Sequence, residues 1–197
     1  MKESGFIEQR RRFLTASLVL TGSALIPSVT ATAQQQSKYG IKGKLAPEIS
    51  LDYWIDKNGE PTEFSVVANR GKWVFLKCFQ DWCPGCHSRG FPTLKAFSDV
   101  FWDHPQVAIA GIQTVFEGYY ANTQSDVRKL QLQYELPITM GHDPGGILSG
   151  KRPQTMQKYR TGGTPWLILI APNGQVIFNH YHVDTEKLIA FVREQIA

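Results

Sequence analysis

The chain has 197 residues, of which 42% are hydrophobic and 19% charged, and its formal net charge is +4. That balance excludes a disordered polar chain, and so small a surplus excludes binding by bulk charge to nucleic acid or an anionic membrane. Three cysteines are too few for a disulfide scaffold.

The first segment reads as a targeting signal. Gln9-Arg10-Arg11-Arg12-Phe13-Leu14-Thr15 precedes a modestly apolar stretch broken by Thr, Ser and Gly, which ends at Ala31-Thr32-Ala33. A charged region, an apolar region and a small-x-small end mark residues 1–33 as an export signal. The adjacent arginines before Phe-Leu match the twin-arginine pattern, with an ordinary secretory signal as the alternative. Residues 14–26 are too short and too polar to span a bilayer. No cysteine lies near the cleavage point to carry a lipid. The expected product is a soluble periplasmic chain starting near Gln34, without stable membrane insertion. Lys2, Arg10, Arg11 and Arg12 leave with Glu3 and Glu8, so its net charge falls to about +2.

Residues 34–45 read as a flexible leader and 46–197 as a single domain. Alternating runs at 49–54 and 63–66 flank Asp56-Lys57-Asn58-Gly59, which predicts a hairpin. A continuous apolar run at 73–79 predicts a buried strand that feeds directly into Trp82-Cys83-Pro84-Gly85-Cys86-His87. Phe91, Leu94, Phe97 and Phe101 recur at helical spacing, so a helix follows to about residue 101. A second buried strand is expected at 107–112, then an irregular aromatic segment at 116–123. Thr123 or Ser125 caps a helix ending near Tyr134. A short strand at 138–140 leads into a Gly/Pro loop at 142–146, and one short helix is expected around 155–159. The runs 166–170 and 176–181, joined by Pro172-Asn173-Gly174, form a hairpin, and an amphipathic helix at 185–196 closes the chain. This order is α/β, with helices on both faces of a mixed central sheet.

Two cysteines separated by two residues, entered from a strand and opening a helix, form a reversible dithiol–disulfide pair. Cys83 falls where unpaired helix N–H groups and the positive end of the dipole favour an anion, and the thiolate is the reactive form of cysteine. Pro84 suits the first helical position, since its missing N–H is one the helix leaves unpaired anyway. Cys86, one turn in, is placed to resolve a mixed disulfide formed at Cys83. The residues therefore point to a thiol–disulfide oxidoreductase in which Cys83 attacks and Cys86 resolves. That chemistry asks for no cofactor beyond the Cys83–Cys86 disulfide and for no metal.

Together with Gly163-Thr164-Pro165 ahead of an apolar strand, the dithiol resembles the thioredoxin fold. The hairpin at 49–66 and an inserted strand–helix unit around 112–140 resemble the exported TlpA/ResA-type branch. The likeness covers residues 45–197. It implies a cis peptide before Pro165, a Thr164 backbone edge against which an extended substrate pairs, and Trp82 as part of the substrate surface. It implies protein thiols and disulfides as substrates, a membrane thiol electron donor, and work as a reductant. Two departures stand out. Lys77, six residues before Cys83, occupies the position of the buried aspartate that moves protons in thioredoxin. It either tunes the cysteines from the sheet interior or snorkels to solvent. Pro92 falls six residues after Cys86 where the family has five, so one extra residue near Gly90 is expected as a bulge in the helix.

The remaining residues carry weaker signals. Cys78 reads as an inert core cysteine. His87 is either a tuning or proton-shuttling group or a solvated helix residue. His180 and His182 share a strand face that reads as solvent-facing. Cys83-Pro84-Gly85-Cys86-His87 also matches C-x-x-C-H, which admits a c-type cytochrome with His87 on the iron, and the same three side chains suit a copper carrier. The peroxidase loop P-x-x-x-T/S-x-x-C is absent, because Leu76 and Gln80 occupy its proline and hydroxyl positions.

Overall fold

A computed structural model of the protein describes residues 38–146 and 150–197. The export-signal reading of residues 1–33 and the first part of the leader lie outside the described residues.

Six strands form one mixed sheet in the order β1-β4-β3-β2-β5-β6. They are β1 (Trp54–Ile55), β2 (Trp73–Phe79), β3 (Val107–Val115), β4 (Thr139–Pro144), β5 (Trp166–Ile170) and β6 (Val176–His180). β2, β3 and β4 run parallel, and β1, β5 and β6 are antiparallel to their neighbours. β2 is central and buried at all seven positions, which is why its sequence is a continuous apolar run and not an alternating one.

The two faces are covered differently. On one, α1 (Phe91–Phe101), α2 (Gln124–Gln133) and α4 (Thr185–Ile196) pack over Phe75, Phe79, Ile109 and Met140. Phe97 stacks on Phe75 at 4.2 Å between ring centroids. Each such buried aromatic contributes about 1.5–3 kcal/mol. On the other face, Val74, Leu76, Cys78, Ile112 and Ile168 meet Ile41, Ile49, Trp54, Val66 and Tyr159, the last at the end of the short helix α3 (Gln154–Lys158). Thr123 caps α2, with its N–H donating to Asp126 at 2.7 Å, and the Asp184 carboxylate accepts from Lys187 N at the start of α4.

Three expectations are corrected. The hairpin at 49–66 survives only as a turn and a bridge between Ile55 and Pro61. Its second arm is no strand, because Val66 N, Val67 N and the Ser65 hydroxyl all donate to the Glu48 carboxylate, which replaces a ladder partner. The leader is tied down from Gly40 onward: Gly40 N donates to Arg160 O, Gly43 N to Val176 O, and Ile41 is buried. β4 continues through His142 and Asp143 to Pro144, where a loop was expected, because β3 itself runs on to Val115 and holds them in register.

Candidate active site

β2 delivers the chain to the carboxyl edge of the sheet, where Gln80, Asp81 and Trp82 turn it into the helix. Gln80 is fully buried and its side-chain oxygen accepts from Phe116 N at 3.0 Å, so the turn is pinned to the segment after β3. Asp81 N donates to Asn122 Oδ1 at 2.6 Å. Trp82 is 47% exposed and lies over Gly118. Gly118 has φ +57°, and a Cβ there would come within 2.9 Å of the indole, so glycine is required on both counts.

Pro84 and Gly85 begin the helix, residues Cys86–Gly90 form a π-helical turn, and α1 follows without interruption. The π turn is where the extra residue before Pro92 is accommodated. It also brings Gly90 against Pro165. A Cβ at Gly90 would sit 2.9 Å from Pro165 Cβ, 3.6 Å from Cys86 Cβ and 3.7 Å from Lys77 Cε. Gly85 packs on the same proline. The Thr164–Pro165 peptide is cis, and the Thr164 carbonyl stands 3.7 Å from Cys83 Sγ.

Cys83 and Cys86 are free thiols in different surroundings: Cys83 is half-buried and Cys86 is sealed. The Cys86 thiol hydrogen-bonds Cys83 and lowers its pKa. Contacts with Thr164 and with the N–H groups of Cys86 (3.2 Å) and Gly85 act in the same sense against partial burial, and bring it to about 6. Burial, and then the bond to Cys83, push Cys86 upward. Such a split gives one ready thiolate and one protonated reserve.

Lys77 faces the interior, on the same side of β2 as Phe75 and Phe79, and is 3% exposed. Burial lowers its amine to about 8, with Cys78 and Cys86 drawing it back up. Cys78 faces the opposite core, where burial raises it to about 12.

His87 is held at both ring nitrogens. Its Nδ1 is 2.6 Å from the Tyr134 hydroxyl, its Nε2 hydrogen-bonds Asp81 O, and its ring packs on Phe91 and Tyr134. Tyr134 stacks on Phe91 at 4.1 Å, and Lys129 of α2 pairs with Asp81 at 2.5 Å. Sequence reasoning missed this clamp. Asp81 adjoins the motif, but nothing in the sequence ties Tyr134 or Lys129 to it.

A strand-fed dithiol at a helix start, faced by a cis-proline loop on a mixed sheet, defines a thiol–disulfide oxidoreductase of thioredoxin-like fold. The chain belongs to the AhpC/TSA family, whose model matches residues 42–179. A solved thioredoxin-like superfamily protein is 31% identical over 76% of this chain and 94% of its own, with a TM-score of 0.64. A thiol-disulfide isomerase from Corynebacterium glutamicum is 28% identical, covering 76% of this chain and 95% of that one, also at a TM-score of 0.64. A thiol-disulfide oxidoreductase from Bacteroides fragilis shares the fold at 20% identity, 77% and 99% coverage and a TM-score of 0.57. No curated protein sequence matches the chain.

Proposed function

We propose that the protein is exported to the periplasm and reduces disulfides of protein substrates through Cys83 and Cys86. The observation that carries this reading is the division of labour between the two thiols: a half-exposed Cys83 near pKa 6 beside a sealed, protonated Cys86. The Cys83 thiolate attacks a substrate disulfide, the Cys83–substrate bond forms, and the first substrate thiolate leaves. Cys86 then gives up its proton and attacks the Cys83 sulfur, releasing the second substrate thiolate. The substrate gains two electrons and the protein holds the disulfide. Trp82 and the Thr164 backbone edge beside Cys83 receive the substrate chain, Pro84 sets the helix start, and Pro165 fixes the loop. A membrane thiol donor returns the protein to the dithiol.

The reducing direction follows from the resemblance to the TlpA/ResA-type branch, and a Cys83 held below the ordinary thiol value is ready to attack a substrate disulfide. Export is supported by the paired arginines and by Ala31-Thr32-Ala33. Among the described residues no helix is long and apolar enough to cross a membrane. Both ring nitrogens of His87 are engaged by Tyr134 and Asp81, which argues against its service as a haem or copper ligand.

The test is insulin reduction together with a redox titration against glutathione. Cys83→Ser is expected to abolish turnover, and Cys86→Ala to accumulate a mixed disulfide with the substrate. A potential near about −250 mV or below fits the reductase reading, and one near about −120 to −180 mV overturns the direction. Undiminished insulin reduction by Cys83→Ser overturns the assignment.

A further inference from the structure

Between β3 and α2 the chain carries an aromatic run, Phe116-Glu117-Gly118-Tyr119-Tyr120, that the proposed reaction leaves unused. It is bolted at both ends to the turn that carries the dithiol. Phe116 N donates to the buried Gln80 side chain at 3.0 Å. At the other end Asn122, itself buried, accepts from Asp81 N through Oδ1 at 2.6 Å, while its Nδ2 donates to Gly118 O at 2.8 Å. The segment is therefore held in fixed register with residues 80–82.

What this bracing holds is an aromatic surface beside the reacting sulfur. Trp82, bonded to Cys83, keeps nearly half its surface exposed, and its indole lies 2.9 Å from where a Cβ on Gly118 would be. Tyr120 stands two residues further along, in the 3₁₀ turn Tyr119–Ala121, and is 92% exposed. Two peptide units put its Cα within about 7.6 Å of that of Gly118. Tyr119 is half-buried and turns its hydroxyl back to Phe116 O at 3.3 Å, which leaves Tyr120 as the ring presented outward. Neither Trp82 nor Tyr120 stacks on another ring among the described residues, so each keeps a face for a partner. Single exposed aromatics are ordinary, but two rooted at one glycine beside a nucleophile form a patch. Because the turn is already ordered, a partner gains contact without paying to immobilise the loop.

We propose that Trp82 and Tyr120 together receive an aromatic side chain of the substrate, close in sequence to the cysteine that Cys83 attacks. The inference rests on the oxidoreductase reading above and names which protein disulfides that dithiol prefers; the exchange at Cys83 and Cys86 is unchanged. The occupant is an unfolded or partly folded polypeptide, because a folded protein buries most of its aromatic side chains. An extended chain advances about 3.3–3.6 Å per residue, so a ring three residues from the attacked cysteine lies about 10 Å from it, the scale of the patch. The Thr164 edge, whose carbonyl is 3.7 Å from Cys83 Sγ, borders the same sulfur and takes the backbone. The Asp81 carboxylate below the patch is already paired with Lys129, so the contact offered is ring to ring and not ionic.

The probes are neutral, Ser- and Gly-rich peptides closed by one internal disulfide. Phe is placed in turn at each of the three positions on either side of the first cysteine, and the reference peptide has Ser throughout. Each is mixed with the reduced protein, and the second-order rate of oxidation is followed by tryptophan fluorescence. The readout is the Phe-to-Ser rate ratio, since a change in thiol reactivity scales both rates alike. The wild-type protein is expected to favour at least one Phe peptide by about fivefold, Tyr120→Ser to bring that ratio close to one, and Tyr120→Phe to keep it. Tyr120 lies on the surface, so its replacement removes no buried contact. A wild-type ratio near one at every position, or a ratio that Tyr120→Ser leaves unchanged, overturns the aromatic site and leaves the oxidoreductase reading standing. Failure of the wild-type protein to reduce any of the peptides overturns that reading and the aromatic site with it.

Discussion

Lys77 and Cys78 are neighbours on one strand, and both are ionisable and buried, yet they look into different surroundings. Cys78 points into the face closed by Ile49, Trp54, Val66 and Tyr159, where burial drives its thiol up to about 12. Lys77 points to the face where the helix start, the Pro165 loop and α4 leave a cleft, and its amine falls to about 8. Burial alone silences a side chain. Burial beside an opening leaves a group whose charge can change within reach of Cys86. Glycines set the packing on both faces: Gly85 and Gly90 let Pro165 approach the helix on the working face, and Gly141 lets the Trp54 ring lie against the sheet on the closed one.

The widest expected separation is in thiol reactivity. With Cys83 near 6 and Cys78 near 12, iodoacetamide at neutral pH should label Cys83 faster by a factor of about 10⁴ or more, read by mass spectrometry of the native reduced protein. A depressed acid is ionised above its own value. The Cys83 labelling rate should therefore climb about tenfold per pH unit below 6 and level off above 7. Rapid native labelling of Cys78 would dissolve the contrast between the faces. Next comes Gly90→Ala, whose new methyl must displace Pro165 or the helix. It should cost about 2 kcal/mol in urea unfolding and slow insulin reduction, because Thr164 moves with the proline. Cys78→Ala should cost about 1 kcal/mol and leave the insulin rate unchanged, which sharpens the reading of the closed face as structural. The smallest effect belongs to Tyr134→Phe. Removing its bond to His87 should destabilise by about 0.5–1.5 kcal/mol, with a modest change in insulin turnover as the clamp on the helix start loosens.

Most of the framework was legible because it depends on local pattern. The apolar run of β2, the phenylalanines of α1 and the closing helix at 185–196 each carry a period that the fold obeys. The dithiol and the Thr164–Pro165 step were legible as short motifs. What escaped depends on partners distant in sequence. Glu48 takes over the backbone of 65–67 from 17 or more residues away, so an alternating run that reads as a strand becomes a turn. The leader looks like a tail until β6 offers it a carbonyl and an N–H at Val176. Lys77 was ambiguous because strand alternation gives its face but not whether that face is open. The anchoring of His87 was not legible because Tyr134, 47 residues on, leaves no mark near the motif.

The π-helical turn at Cys86–Gly90 has a consequence for how this protein can change. A residue removed from an ordinary α-helix rotates everything downstream by about 100° and carries every buried side chain with it. Here one residue is already surplus to the α-helical repeat, so its deletion restores the regular spiral, while the cysteines stay anchored by the strand before them. The helix behaves as two segments joined by an adjustable coupling. Its front half is set by the dithiol. Its rear half, which walls the cleft, can be re-indexed by a single codon.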